Sequence, residues 1–245
     1  MEAERATGAN RTVDLQGKTV TYQLRRSAEA SQIRIDAGLG GIRLVLPEES
    51  TADPDVIMEE KAGWVLDKQA RYARYREEMP ERRFEEGEEF PILGTGRRVE
   101  VRGVPEPEVT EEAIRLPKVR VEKTSIREVL EGVYRSEARE HFRRRADHFC
   151  EQMGLRYEQI QIRNQKTRWG SYSQRTGTLS LNFRLLMAPP EVVDYVIAHE
   201  LAHAEHPNHG PRFWRLVAEH VPSYEEQDDW LDENGHRLVF EPSSS

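Results

Sequence analysis

The chain has 245 residues, a formal net charge of −8, 37% hydrophobic residues and 33% charged residues. That length supports one large core or two small ones, and the composition is too apolar for a disordered chain. The acidic balance argues against a surface that coats nucleic acid or anionic membrane, and no apolar run reaches the ~20 residues of a membrane span.

The single cysteine, Cys150, leaves no partner for an intrachain disulfide and fits a reducing compartment. Beside Phe149 on a predicted helix, it reads as a small buried hydrophobe. The opening residues carry neither the basic nor the apolar region of a signal peptide, so a cytoplasmic location and no membrane partner are expected.

Residues 1–16 read as a flexible tail, and 242–245 as another. Val20–Leu24, Ile33–Ile35 and Ile42–Leu46 are predicted strands, with a turn over Gly38–Gly41. Asp53 reads as an N-cap and Pro54 as the first residue of a helix. Val56, Ile57, Ala62, Trp64, Leu66 and Ala70 of that helix should pack on the sheet. Pro80–Glu89 reads as a charged linker. Phe90–Gly94 and Arg98–Val101 read as a hairpin, followed by weak strands around Val109 and Ile114. Residues 17–117 would thus form a β-rich N-terminal domain with one long helix.

A second domain is expected over residues 118–241, with the boundary near 117–124. Ser125 reads as the N-cap of a long helix whose apolar stripe runs Ile126, Val129, Leu130, Val133, Tyr134, Ala138, Phe142, Ala146 and Phe149. His141 and His148 on that helix read as solvated or edge positions. Gly154 ends the helix. Tyr157–Arg163 is a predicted strand, Asn164–Tyr172 a loop, and Thr178–Leu185 a strand. In the last strand Leu179, Leu181, Phe183 and Leu185 fill one face, and Ser180, Asn182 and Arg184 point the other way. Pro189-Pro190 launches a helix with a buried stripe of Val193, Val196, Ile197, Leu201 and Ala204. No internal repeat is present.

That helix carries His199-Glu-Leu-Ala-His203, which reads H-E-x-x-H. Residues four apart share one helix face, so the two imidazoles can converge on one metal ion. Glu200 falls on the flank of that face, where it can act as general base on a water at the metal without ligating the metal. The chemistry calls for one Zn2+ per chain and a third ligand. His206, His209 and the carboxylates Glu219, Glu225 and Glu226 compete for that place. His206 lies too close to His203 on the same helix to face the metal well. His209 is preferred: Pro207-Asn208 can turn the chain back, and a helix with Phe213 and Trp214 follows at once.

Several segments together resemble one family, the YgjP-like metal-dependent hydrolases, relatives of the SprT-like zinc metallopeptidases. They are Tyr22-Gln-Leu-Arg-Arg-Ser27, Lys61-Ala-Gly-Trp64, Ile162-Arg-Asn-Gln-Lys-Thr-Arg-Trp-Gly-Ser171, Leu179-Ser-Leu-Asn182, Met187-Ala-Pro-Pro190, the H-E-x-x-H itself, Pro207-Asn-His-Gly210 and Phe213-Trp214. The resemblance implies an α+β chain: a zincin-like C-terminal catalytic domain behind a small β-rich N-terminal domain. It also favours His209 as third ligand. Where the family usually has Trp-Gly-Ser-Cys, this chain has Tyr172, whose hydroxyl could donate to an oxyanion.

Three functions compete. A zinc metallopeptidase acting on peptides or unfolded protein is favoured by the strand Thr178–Leu185, read as a cleft-lining edge that pairs with an extended chain. A metal-dependent nucleotide phosphohydrolase, of the triphosphate pyrophosphatase type, is favoured by charge. From Gln159 to Pro190 there is no carboxylate, and Arg163, Lys166, Arg168 and Arg184 could clamp an anionic nucleotide; no glycine-rich phosphate loop supports this reading. Direct nucleic-acid binding finds no support in the net charge. A non-enzymatic, metal-stabilised binding module is the third reading, and the base Glu200 argues against it. With either substrate, Tyr172 and Asn182 join the four basic residues as candidate substrate contacts.

Overall fold

Alternating apolar residues build the first sheet of the computed structural model, which describes residues 9–165 and 168–241. The chain divides between Met79 and Pro80 into two units, each with its own core. In the first, strands β1 (Ala9–Leu15), β2 (Lys18–Ser27), β3 (Arg34–Gly38) and β4 (Gly41–Pro47) form a sheet in the order β1-β2-β4-β3. Residues 9–15, expected to be part of a loose tail, are a paired strand instead. Val13 and Leu15 alternate inward, and Gln16 and Gly17 make the tight turn to β2 with positive φ at both positions.

Helices α1 (Pro54–Glu60) and α2 (Ala62–Glu78) cover that sheet. Asp53 caps α1 by accepting from the Asp55 amide at 2.9 Å. Tyr22 donates to the Asp55 carboxylate at 2.6 Å and ties the first turn to the sheet. The expected single helix is broken at Lys61, which terminates α1 and precedes α2. Pro54, Met58, Ala62, Val65 and Tyr75 are the buried positions, whereas Val56 and Trp64 are exposed.

The second unit contains the remaining elements. Strands β5 (Glu89–Ile92), β6 (Thr95–Arg102), β7 (Glu108–Val109) and β8 (Ala113–Pro117) form a sheet ordered β5-β6-β8-β7. The short α3 (Lys118–Lys123) leads to the long α4 (Ile126–Met153). Phe90, Ile92, Val99, Ile114 and Leu116 share one core with α4, so residues 80–117 pack with the C-terminal elements rather than with the first sheet. Ser125 caps α4 through the Glu128 amide at 3.1 Å, and Gly154 closes it in the left-handed region. The buried stripe of α4 is Leu130, Val133, Tyr134, Ala138, Phe142, Ala146 and Phe149. Each of the larger aliphatic and phenyl side chains in it contributes roughly 1.5–3 kcal/mol before chain entropy is counted.

Strands β9 (Gln159–Arg163), β10 (Gly170–Ser173) and β11 (Thr178–Asn182) make a third sheet in the order β10-β11-β9. The strand expected to run to Leu185 ends at Asn182, and Phe183–Met187 continue as a 3-10 turn. β11 lies in the middle, so the edges of this sheet are β9 and β10, and β10 falls largely within the segment read as a loop. Helices α5 (Pro190–Ala202), α6 (Pro211–His220) and α7 (Tyr224–Asn234) complete the unit. Among the described residues, no helix is long and apolar enough to cross a membrane.

Phe142→Ala leaves a ring-sized hole in the middle of the α4 stripe. It should lower the stability of the second unit by about 3–5 kcal/mol, read as a drop in the urea midpoint followed by tryptophan fluorescence.

Candidate metal centre

Pro190 occupies the first turn of α5, a position that does not need an amide hydrogen. Val192, Val193, Tyr195, Val196, Ile197, Ala198, Leu201 and Ala202 are buried, so α5 is enclosed on most of its sides. His199, Glu200 and His203, near its C-terminal end, are partly buried and line a cleft. The helix ends at Ala202, with His203 at its cap. Gln174 holds this end by donating its side-chain amide to the His203 carbonyl at 2.7 Å. After Pro207-Asn208 the chain turns back, and α6 begins at Pro211. The turn brings Nε2 of His209 to 3.0 Å from Nε2 of His199.

The ligand atoms of His199, His203 and His209 all lie within 4.8 Å of one another, and no other trio of such groups among the described residues comes together this way. Glu219, Glu225 and Glu226 take no part in it. Phe213, fully buried, packs under all three rings with centroids 5.0, 4.7 and 4.6 Å away. His203 donates from Nδ1 to the His206 carbonyl at 3.1 Å, so its Nε2 keeps a free lone pair. His206 itself contributes this carbonyl rather than its ring, which faces Glu205. Burial, with His203 and His209 alongside, pushes the His199 imidazole down to about 4, so it is neutral at pH 7. Burial lowers His203 as well. Three imidazoles whose ligand atoms converge in this way form a donor set suited to zinc.

Glu200 points to the other side of the cleft, against β10. A Cβ on Gly170 would fall 2.5 Å from Glu200 Cγ and 2.8 Å from its Oε1, so only glycine fits there. Burial pushes the Glu200 carboxyl up to about 7, against the pull of the Arg168 guanidinium and a backbone hydrogen bond from Tyr172. A carboxyl group balanced near neutrality can both take and return a proton. The role of Gly170 was missed in the sequence, although the glycine stands in the Trp-Gly-Ser segment.

The remaining predicted residues are scattered. Arg168 is exposed and lines the open cleft of about 480 Å³ beside His199, Glu200 and His203. Tyr172 also lines it, but its hydroxyl donates to the Arg156 carbonyl at 3.0 Å and is not free for an oxyanion. Asn182 is fully buried and donates to the carbonyls of Gln165 at 2.7 Å and Arg168 at 3.2 Å. Arg184 donates to Gln165 at 2.6 Å and Leu238 at 3.3 Å, and lies 5.3 Å over the Trp169 ring. Asn182 and Arg184 therefore hold the loop before β10 in place and do not reach the cleft. Arg163 is exposed and bonds Gln161 on its own strand. Lys166 lies outside the described residues. Of the proposed phosphate clamps, Arg168 alone among the described residues lines the cleft.

The chain matches the model of the YgjP-like metallopeptidase domain over residues 30–234. No curated protein matches it. Among solved structures it is similar to the metallopeptidase zymogen of Pyrococcus abyssi abylysin, at 24% identity and a TM-score of 0.34, covering 40% of this chain and 99% of that one. It is also similar to the metallopeptidase zymogen of Methanocaldococcus jannaschii jannalysin, at 23% identity and a TM-score of 0.32, covering 36% of this chain and 93% of that one.

Gly170→Ala should push the Glu200 side chain out of place while leaving the three histidines untouched. The expected result is an unchanged metal content with turnover reduced about 10²-fold, the usual cost of misplacing a reacting group by an ångström. Elemental analysis alongside a rate assay checks it.

Proposed function

The chain belongs to the YgjP-like family, and on that premise we propose that it is a zinc-dependent peptidase whose base is Glu200. One observation carries the reading: His199, His203 and His209 converge on one side of a cleft whose other side holds Glu200. His199, His203 and His209 would hold one Zn2+, which when bound supplies Lewis acidity and lowers the pKa of water toward neutrality.

The chain's own groups do the rest. Glu200 takes a proton from the attacking water at its carboxylate and later returns it to the leaving amine. Gly170 lets the carboxylate lie close against the β10 backbone. Partial burial keeps bulk water from competing for that proton. Among the described residues no strand pairs with the outer edge of β10, and its residues line the cleft beside Glu200. An extended peptide can add to such an edge through main-chain hydrogen bonds. The exposed Arg168 at the same wall favours substrates with an acidic side chain or carboxylate near the scissile bond.

His199→Ala, His203→Ala and His209→Ala should each lose metal and activity together. Glu200→Gln should keep the metal and lose turnover by at least about 10²-fold, the scale of a positioned general base. These variants are to be compared on an unfolded protein and on nucleoside triphosphates. Peptide cleavage that Glu200→Gln abolishes supports the proposal. Phosphate release without peptide cleavage would replace it with the nucleotide hydrolase, and zinc binding with neither activity would leave a binding module. Tight zinc binding by His209→Ala would remove the third ligand.

A further inference from the structure

The two ligands on α5 are oriented by different means. His203 is fixed locally, through the carbonyl of His206 three residues on. His199 is reached from another helix. Tyr195 stands one turn before it on α5, nearly buried, with the two rings edge-on at 5.7 Å. The Tyr195 hydroxyl is 3.4 Å from His199 Nδ1 and 2.8 Å from Asp228 Oδ1 on α7.

Hydrogen-bond bookkeeping orders the protons in this row. A carboxylate only accepts, so the single hydroxyl proton of Tyr195 goes to Asp228. The Tyr195 oxygen is then an acceptor, and the group left facing it is Nδ1 of His199, which must carry its ring proton. That leaves the lone pair on Nε2, the atom 3.0 Å from His209 Nε2. The same helix supports the third ring: Tyr224 of α7 stacks on Trp214 at 5.1 Å, and Trp214 lies 5.7 Å from His209.

We infer that Tyr195 and Asp228 are positioning residues. They form a proton-ordered relay, His199 to Tyr195 to Asp228, that selects the tautomer and ring orientation of one ligand and so sets how tightly the centre holds its metal. The inference rests on the ligand set proposed above. At 3.4 Å the first link is long for a hydrogen bond. Its contribution is therefore orientation more than energy, and α7 serves as a brace for the centre from outside the cleft.

The test uses the full chain as wild type, Tyr195→Phe, Asp228→Asn, the double variant and His199→Ala. Zinc affinity is read by competition with a chromophoric chelator, and the His199 tautomer by imidazole 15N resonances of the metal-free protein. Each single variant should weaken zinc about 10–100-fold, the usual effect of removing a ligand's hydrogen-bond partner. The double variant should be no weaker than the worse single, because the two groups act in series. In Tyr195→Phe the His199 signals should shift away from the Nδ1-protonated form, while those of His203 stay put. Zinc affinity within about twofold of wild type in both singles would overturn the relay, since partners of this kind are worth at least tenfold. A weakened site with an unchanged His199 tautomer would overturn it too, because lost packing alone does that. If His199→Ala binds zinc as the wild type does, the ligand set has failed instead, and the tautomer measurement still decides the relay.

Discussion

The candidate centre depends on the burial of α5, whose core residues surround most of the helix. Val192, Val193, Val196, Ile197 and Leu201 belong to the same core as the stripe of α4 and the apolar residues of β11. With these residues packed, the rotation of the helix about its axis is fixed. Residues four apart then stand about 40° from each other, and a residue one step on stands about 100° away. His199 and His203 therefore share a side, and Glu200 falls on the flank toward β10. Hydrophobic burial far from the chemistry sets the angles at which three polar side chains are presented.

The second requirement is a wall for Glu200 to face. β10 supplies it, and β10 is held by a buried polar cluster. Asn182 and Arg184 spend their donors on the carbonyls of Gln165, Arg168 and Leu238, which an irregular loop over a core would otherwise leave unmatched. Trp169 lies beneath the Arg184 guanidinium, and its ring comes within 3.2 Å of where a side chain on Gly235 would begin. Burial lowers the pKa of Arg184, but its hydrogen bonds to carbonyls satisfy the planar group. The polar face of this segment therefore builds the cleft and does not line it. This is why, among the described residues, the cationic side chains between Gln159 and Pro190 contribute one to the cleft, Arg168, rather than a cluster.

Electrostatics follows from the same geometry. Partial burial disfavours charge at the centre, raising Glu200 and lowering His199 and His203. The His199 imidazole becomes a neutral donor and the Glu200 carboxyl titrates close to neutrality. One cause, loss of water, thus acts on the proposed metal ligands and on the proposed base alike. The relay through Tyr195 and Asp228 adds direction to this arrangement, since it decides which nitrogen of His199 holds the lone pair.

Local signals in the sequence determined much of the framework. The α4 stripe, its caps at Ser125 and Gly154, the cap at Asp53 and the start of α5 at Pro190 were readable because each depends on periodicity or on a few neighbouring residues. So were the adjacency of His199 and His203 and the flanking place of Glu200, which follow from helix spacing. Other features were decided only by the tertiary structure. Residues 9–15 become a strand because β2 is there to pair with, and β10 becomes an edge because β11 lies between it and β9. Asn182 and Arg184 read as one polar strand face until the 3-10 turn and the loop over them give their donors other partners. The division at Met79 reflects which core Phe90 and Ile114 join, a choice that a short apolar strand does not reveal. The approach of His209 to His199, the need for glycine at 170 and the reach of Asp228 to Tyr195 join segments distant in sequence. Spacing along one helix is a local property, but the distance between two elements is set by everything packed between them.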